Sequence, residues 1–206
     1  MERASRPEKA RRNVEAVRLS RFLAGAGVSS RRHADELISE GRVKVNGKVA
    51  KVGDKVIPGV DRVWVDGREV GSKEEPVYIM LNKPPGYLST CDDPFDRKTV
   101  LALVSEIPAR IFPVGRLDLD ADGLLLLTND GELTNLLTHP KHRVVKEYLV
   151  LVSGEGAEDK IGRIVSGMIV DGKRVDVDYV RLVKDRGGPL GKDAAKGQPR
   201  LSKVVI

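Results

Sequence analysis

Three aspartates at alternating positions form the segment of this sequence that is best suited to chemistry. Asp118, Asp120 and Asp122 directly precede the apolar run 124–127. On an extended chain, carboxylates two residues apart point the same way. Such a pair can bind a cation, transfer a proton or attack an electrophilic carbon.

A calcium loop is one interpretation, because D-x-D-x-D-G matches the first half of an EF-hand loop. That loop needs a glutamate six residues after its glycine, and Asn129 stands there instead. The flanking residues also predict strands, whereas an EF-hand has helices on both sides. The sequence therefore disfavours calcium.

A hydrolase with paired carboxylates is a second interpretation, and a solvated acidic loop without function is a third. Nothing else in the chain marks a sugar or phosphate site. In particular, Gly191 and Lys192 are followed by Asp193, and no glycine stands at the upstream position that a Walker phosphate loop requires. The residues alone leave both interpretations open.

The segments around the aspartates predict short strands and turns. Residues 77–81 predict a buried strand, which the rigid turn Asn-Lys-Pro-Pro-Gly at 82–86 ends. Residues 124–128 predict a strand that is buried on both faces. The other predicted elements are a loop over 89–98, the start of a helix at 100–104, a helix over 132–138, a strand over 146–152, and a hairpin within 165–180 that turns at Asp171 and Gly172.

Residues 17–70 predict two short helices and then a small sheet. Apolar residues recur at helical spacing over 19–26, and a second helix is predicted over 31–40. Alternating valines follow and predict strands, because side chains alternate between the faces of a strand. The predicted capping residues are Ser29 and Ser30, and the predicted hairpin turns are Asn46 with Gly47 and Asp66 with Gly67.

Composition and charge narrow the class of protein. The 206 residues carry a net charge of +6, with 40% hydrophobic and 32% charged residues, which is typical of a foldable globular chain. The single cysteine excludes an internal disulfide and a zinc site built on several cysteines. We expect no membrane span or secretory signal, and therefore a cytoplasmic protein. Residues 17–71 hold eleven basic and seven acidic residues, a balance that favours nucleic acid as a partner.

The segment RLSRFLAGAGVSSRRHADELISEGRVKVNGKV resembles the S4 RNA-binding domain. The resemblance implies that the second helix and the following hairpin present basic side chains to structured RNA. Clustered cations of this kind bind phosphates without reading the base sequence. The implied RNA-binding residues are Arg31, Arg32, Arg42, Lys44 and Lys48.

Four further motifs, in order, resemble pseudouridine synthases of the RsuA and RluB type: LNKPPG, GRLDLDADGLLLLTNDGEL, LLTHP and the Lys-Glu-Tyr at 146–148. This resemblance implies an isomerase that converts uridine in ribosomal RNA to pseudouridine without metal or cofactor. It implies that Asp118 is the catalytic carboxylate and that Tyr148 stacks on the uracil. Arg116, two residues before Asp118, is the candidate cation that favours the ionised carboxylate and binds substrate. We expect the uridine to flip out of its stack to reach a buried carboxylate.

One departure from the family pattern concerns the end of the sequence. The family continues with a basic segment similar to E-G-R-N-R-Q-V-R-R-M, whereas this sequence ends RLSKVVI. We therefore expect a synthase domain that is incomplete at its C-terminus. The alternative function is that of a catalytically weak or inactive RNA-binding fragment or paralogue of the same family.

The predicted fold class is α+β, with a small S4 domain followed by a mixed, mainly antiparallel synthase sheet. The expected partner is ribosomal RNA, with no membrane and no metal, and the expected state is a monomer. The predicted divisions are a flexible basic arm over 1–16, the S4 domain over 17–71, a linker over 72–76 and the synthase domain over 77–206.

Overall fold

The computed structural model describes residues 15–71, 74–153, 164, 167–175, 177–183 and 201–205. Most of the predicted basic arm, residues 1–14, lies outside the described residues, as does the tail over 184–200. The chain divides into two compact units, Met1–Arg143 and Val144–Ile206. Within the described residues, no helix is long and apolar enough to span a bilayer.

Two short helices lie near the start of the described part of the first unit. Helix α1 covers Leu19–Gly25 and α2 covers Arg31–Ser39. The side chain of Ser30 accepts a hydrogen bond of 3.1 Å from the backbone N–H of His33, which confirms the predicted cap of α2. Ser29 does not cap the helix, since its hydroxyl donates to the carbonyl of Ser30.

Apart from a two-residue strand before α1, short antiparallel strands follow the helices, and both predicted hairpin turns are confirmed. Asn46 and Gly47 have φ of 50° and 83°, and Asp66 and Gly67 have φ of 50° and 78°, as a two-residue hairpin requires. One sheet has the order β3-β2-β5-β6, and β1 pairs with β4. The strands are β1 (Val17–Arg18), β2 (Val43–Val45), β3 (Lys48–Val49), β4 (Lys55–Val56), β5 (Val63–Val65) and β6 (Arg68–Glu69).

The helices and this sheet enclose one hydrophobic core. Its members are aliphatic side chains that lie at the spacing the sequence predicted for the two helices and the strands. Burial of these side chains drives the module to fold, because apolar area leaves water. The most buried of them are Leu19, Leu23, Ala34, Ile38, Val43, Val56 and Val63.

A second antiparallel sheet, with the order β7-β9-β8, carries the loop that contains the three aspartates. Its strands are β7 (Tyr78–Lys83), β8 (Phe112–Val114) and β9 (Gly123–Thr128). Leu125 and Leu127 are buried, but Leu124 is 68% exposed. The prediction that this strand is buried on both faces was therefore wrong at Leu124, although Thr128 on the same face of β9 is buried.

Two short helical segments lie beside this sheet. The predicted helix at 100–104 is a single 3₁₀ segment, Val100–Val104, whose first and last residues are buried. The predicted helix at 132–138 is confirmed as α3, Gly131–Thr138. The carboxylate of Asp130 caps α3 by accepting hydrogen bonds from the N–H groups of Glu132 and Leu133.

The second unit contains short antiparallel strands. Strands β10, β14 and β13 form one sheet in that order, and β11 pairs with β12. The predicted hairpin turn at Asp171 and Gly172 is confirmed. The strands are β10 (Leu149–Ser153), β11 (Met168–Val170), β12 (Lys173–Val175), β13 (Arg181–Leu182) and β14 (Leu201–Val205). Helices and mainly antiparallel sheets together confirm the predicted α+β class.

Candidate active site

Asp118 lies in the loop over 115–122 that joins β8 to β9. Gly115 has φ of 81° and Gly123, which begins β9, has φ of 127°, a region of backbone conformation that favours glycine. Asp118 is exposed. The expectation of a buried carboxylate was therefore wrong, and the reason is that the loop lies at the surface and not inside the sheet.

A buried lysine forms hydrogen bonds to the backbone of this loop. The side chain of Lys83, at the end of β7, is fully buried. Its Nζ donates hydrogen bonds to the backbone carbonyls of Asp118 at 2.9 Å and Ala121 at 2.7 Å, with longer contacts to those of Leu119 and Pro84. A buried amine is stabilised only when such acceptors replace water. Lys83 therefore fixes the backbone that carries Asp118.

The segment after β7 also forms hydrogen bonds to the backbone of this loop. The hydroxyl of Ser89 donates to the carbonyl of Leu117 at 2.9 Å and accepts from the N–H of Leu117 at 3.1 Å. The N–H of Gly86 donates to the carbonyl of Leu119 at 2.8 Å. The residues on both sides of Asp118 are thus bonded to the segment over 86–89, which is how a side chain is held ready for a reaction.

A cleft of about 310 Å³ opens beside Asp118. Asp118 and Arg116 both line it, together with residues of the loop that follows β7. Arg116 and Asp118 form no ion pair with each other, and Arg116 forms none with any described residue. Asp120 and Asp122 do not line the cleft. Only one of the three aspartates is therefore presented to a ligand there.

The three aspartates are not arranged as a metal site. Among the described residues, no group of three or more His, Cys, Asp and Glu side chains is placed to hold a metal ion. The spacing of Asp118, Asp120 and Asp122 in the sequence thus does not bring their carboxylates around one point. This geometry gives the calcium interpretation no support.

An ion pair that the sequence analysis missed lines the same cleft. Asp93, whose side chain is 5% exposed, accepts hydrogen bonds from the guanidinium of Arg97 at 2.6 and 3.1 Å. These bonds, together with the hydrogen bonds that Asp93 accepts from backbone N–H groups, hold the pKa of its carboxyl at about 2, below the usual 3.8. The spacing of an acid and an arginine by four residues was the available signal, but we interpreted 89–98 only as a loop.

Tyr148 belongs to the second unit and precedes β10. It is 45% exposed. Next to it, Glu147 accepts a hydrogen bond from the hydroxyl of Tyr179, which raises the pKa of that phenol. The assignment of Tyr148 to the uracil stays a prediction.

The cations predicted to bind RNA fall into three groups. Arg31 and Arg32, in the first turn of α2, are exposed and form no ion pair with any described residue. Lys44 and Lys48 are exposed on the β2–β3 hairpin. By contrast, Arg42 pairs with Asp66 at 2.6 Å and Glu40 at 3.2 Å, and these carboxylates raise its pKa.

Arg31 and Arg32 also line a larger cleft, of about 940 Å³, within the first unit. Three arginines that the sequence analysis did not single out line it as well: Arg21, Arg62 and Arg110. Arg21 forms an ion pair of 2.6 Å with Glu132 at the start of α3. The cleft is therefore rich in cations, although Arg21 and Arg62 each hold a carboxylate.

Comparison with protein families divides the chain in the same order as its motifs. The S4 domain matches residues 17–61, and the family described as RNA pseudouridylate synthase matches residues 77–199. The second match contains the β7 turn, the loop of Asp118 and Tyr148.

Individual relatives agree with these family matches. An Aquifex aeolicus protein named "Uncharacterized RNA pseudouridine synthase" is 47% identical over 173 residues, which are 83% of this chain and 69% of that protein. The Bacillus subtilis "Ribosomal large subunit pseudouridine synthase B" is 46% identical over 170 residues, or 82% and 69% of the two chains. A solved structure titled "Crystal structure of pseudouridylate synthase" is 26% identical, covers 92% of this chain and 76% of its own, and gives a TM-score of 0.48.

The match to the pseudouridylate synthase family covers the loop that presents Asp118 and the turn that precedes it. With an S4 domain preceding the synthase region, the chain belongs to the RNA pseudouridylate synthase family and is an isomerase.

Proposed function

We propose that this protein converts one or more uridines of ribosomal RNA to pseudouridine, with Asp118 as the catalytic carboxylate. The observation that carries the proposal is that Asp118 alone among the three aspartates lines a cleft, on a loop fixed by Lys83 and Ser89. The name of the Bacillus subtilis relative favours the large ribosomal subunit as the source of the substrate.

The reaction breaks the bond between N1 of uracil and C1′ of ribose, turns the base, and joins C5 to C1′, with loss of the C5 proton and gain of a proton at N1. An ionised carboxylate serves this reaction in either of two ways. It attacks as a nucleophile and forms a covalent adduct, or it removes a ribose proton so that a glycal forms. Both routes need Asp118 within reach of the nucleoside, and its exposure on the rim of the cleft supplies that access.

Substrate binding in this proposal begins with a flipped uridine. A base inside a helix or stacked loop cannot reach a carboxylate on a protein surface, so the nucleotide leaves its stack. Arg116 lines the cleft without a carboxylate partner among the described residues, so its guanidinium is available to a phosphate or to the base. Tyr148 stacks on the uracil, as aromatic side chains do with unpaired bases.

The S4 domain supplies affinity for RNA in the proposal. Arg31 and Arg32 of α2, with Lys44 and Lys48 of the hairpin, bind phosphates and displace counterions. Arg42 contributes less, because Asp66 and Glu40 already occupy its guanidinium. Such contacts place the RNA but do not choose the uridine.

The test is to incubate the protein with unmodified small- and large-subunit ribosomal RNA transcripts and to map pseudouridine at single-nucleotide resolution. We expect new pseudouridine at one or a few positions of the large-subunit transcript. A chain that binds both transcripts and forms no pseudouridine contradicts the proposal. That result would instead support the alternative of an RNA-binding protein without activity.

A further inference from the structure

Phe95 is an exposed aromatic side chain beside the cleft of Asp118. It is 76% exposed, and it stands between Asp93 and Arg97, which both line that cleft. Isolated apolar side chains are common on protein surfaces and need no function. Phe95 differs from such residues because the loop that carries it is fixed.

The fixing group is the carboxylate of Asp93. Its Oδ2 accepts one hydrogen bond of 3.1 Å from the backbone N–H of Phe95 and another of 3.1 Å from the backbone N–H of Arg97. The backbone N–H of Asp96 donates to the carbonyl of Asp93 at 3.2 Å, which closes the turn. An aromatic ring that is ordered before binding loses little conformational entropy when a ligand arrives.

The guanidinium of Arg97 lies over the ring of Phe95, and Arg97 also lines the cleft. Its Cζ lies 5.3 Å from the centroid of Phe95, which is within the range of a cation–π contact. The same guanidinium is anchored on Asp93, so its plane cannot swing away freely. The ring and the guanidinium therefore lie together on a fixed loop, with Arg97 lining the cleft.

We propose that Phe95, backed by Arg97, is a stacking platform for an unpaired RNA base next to the target uridine. This inference rests on the proposed function. Flipping one nucleotide leaves its neighbours without a stacking partner, and an aromatic face accepts any base because every base has a π-face. Phe95 is thus a positioning residue, and it lowers the cost of presenting the uridine to Asp118.

The first test compares Phe95→Leu with Phe95→Tyr in pseudouridine formation on the large-subunit transcript. Leucine keeps an apolar side chain but has no ring, whereas tyrosine keeps the ring. We expect Phe95→Leu to raise KM about tenfold with kcat little changed, and Phe95→Tyr to behave like the wild type. If Phe95→Leu has the wild-type KM, or if tyrosine is as impaired as leucine, the platform is refuted.

The second test measures stacking without catalysis. The chain has one tryptophan, Trp64, so the double variant Trp64→Phe/Phe95→Trp carries a single reporter on the platform. We expect single-stranded hexauridylate to quench its fluorescence saturably. A matched control, Trp64→Phe/Leu136→Trp, places the reporter on α3 at a position that is 50% exposed, and we expect no saturable quenching there.

The two tests separate failure of the platform from failure of the proposed function. A wild-type protein that forms no pseudouridine refutes the proposed function, and the fluorescence titration still decides whether bases stack at position 95. Equal quenching of both reporters, or of neither, refutes the platform. Quenching by an RNA duplex of equal length as strong as that by hexauridylate also refutes it, because the platform requires an unpaired base.

Discussion

The ammonium of Lys83 lies 2.9 Å from the backbone carbonyl of Asp118 and 2.7 Å from that of Ala121, although the lysine side chain has no exposed surface. Among the described residues, every acceptor of this amine is a main-chain oxygen. The lysine thus replaces the water that a surface loop would otherwise bind, and it ties the end of β7 to the segment before β9.

Replacing Lys83 with methionine tests this support. Methionine fills similar volume but leaves the carbonyls without a donor, so we expect unfolding free energy to fall by about 3 kcal/mol. Urea denaturation followed by circular dichroism measures the change. Lys141→Met, at an exposed lysine, is the control and is expected to have no effect. Equal stability of the two variants would contradict the assigned role.

Asp118→Asn removes the charge of the carboxylate with little change in shape. We expect the rate of pseudouridine formation to fall at least about a thousandfold, since in the proposed function the charged group acts directly on the substrate. The control is Asp120→Asn in the same loop, which does not line the cleft and should retain most activity. Rates come from the release of the uracil C5 proton, and RNA affinity should stay within about threefold for both variants. Equal losses in the two variants would place the chemistry elsewhere.

The ion pair of Asp93 and Arg97 predicts a pH dependence of stability. The Arg97 guanidinium, together with two backbone N–H groups, holds the pKa of Asp93 at about 2 in the folded protein, so folding favours the ionised carboxyl. The stabilisation is complete above the ordinary pKa of about 4 and is lost as the pH falls from there through about 2. We expect the gap in urea midpoint between wild type and Arg97→Gln to be constant from pH 7 to 5 and to shrink below pH 4.

Arg116→Gln provides the matched control for that experiment, because Arg116 forms no ion pair with any described residue. Its midpoint should differ from the wild type by an amount that does not depend on pH. A gap for Arg97→Gln that stays constant down to pH 2.5 would show that Asp93 does not titrate as the geometry requires.

The double variant Arg31→Gln/Arg32→Gln tests whether these two arginines bind RNA phosphates. Loss of two phosphate contacts should weaken binding and reduce the slope of log K against log salt concentration by about 1.5. Arg42→Gln is the comparison, and we expect a smaller change because Asp66 and Glu40 hold that guanidinium. Filter binding of the large-subunit transcript at several salt concentrations measures both. An unaltered slope in the double variant would exclude Arg31 and Arg32 from the phosphate contacts.

Local chemistry explains which elements the sequence predicted. The turns at Asn46 and Asp66 follow from residues that tolerate positive φ, and the start of α2 follows from the hydroxyl of Ser30. Each signal acts over a few residues, so it is visible without knowledge of the tertiary fold. The loop of Asp118 was recognisable by its motif for the same reason.

The support of that loop was not predictable, because it depends on distant partners. A lysine such as Lys83 would be expected at the surface. It is buried instead, and its amine donates to the backbone carbonyls of Asp118 and Ala121, 35 and 38 positions later in the sequence. Leu124 was expected to be buried by its type, and its exposure depends on what covers each face of the sheet. Such outcomes are set by packing between segments, which periodicity does not report.

The choice of main-chain oxygens as the acceptors of Lys83 has a consequence for variation among related enzymes. Since all acceptors of the amine among the described residues are backbone carbonyls, the side chains at 119 and 121 can be exchanged while the loop keeps its path. In the proposed function, substitutions there would alter the surface offered to the RNA and leave the carboxylate of Asp118 where it is. In the proposed function, such substitutions would change which RNA is bound, while the reaction at Asp118 would stay the same.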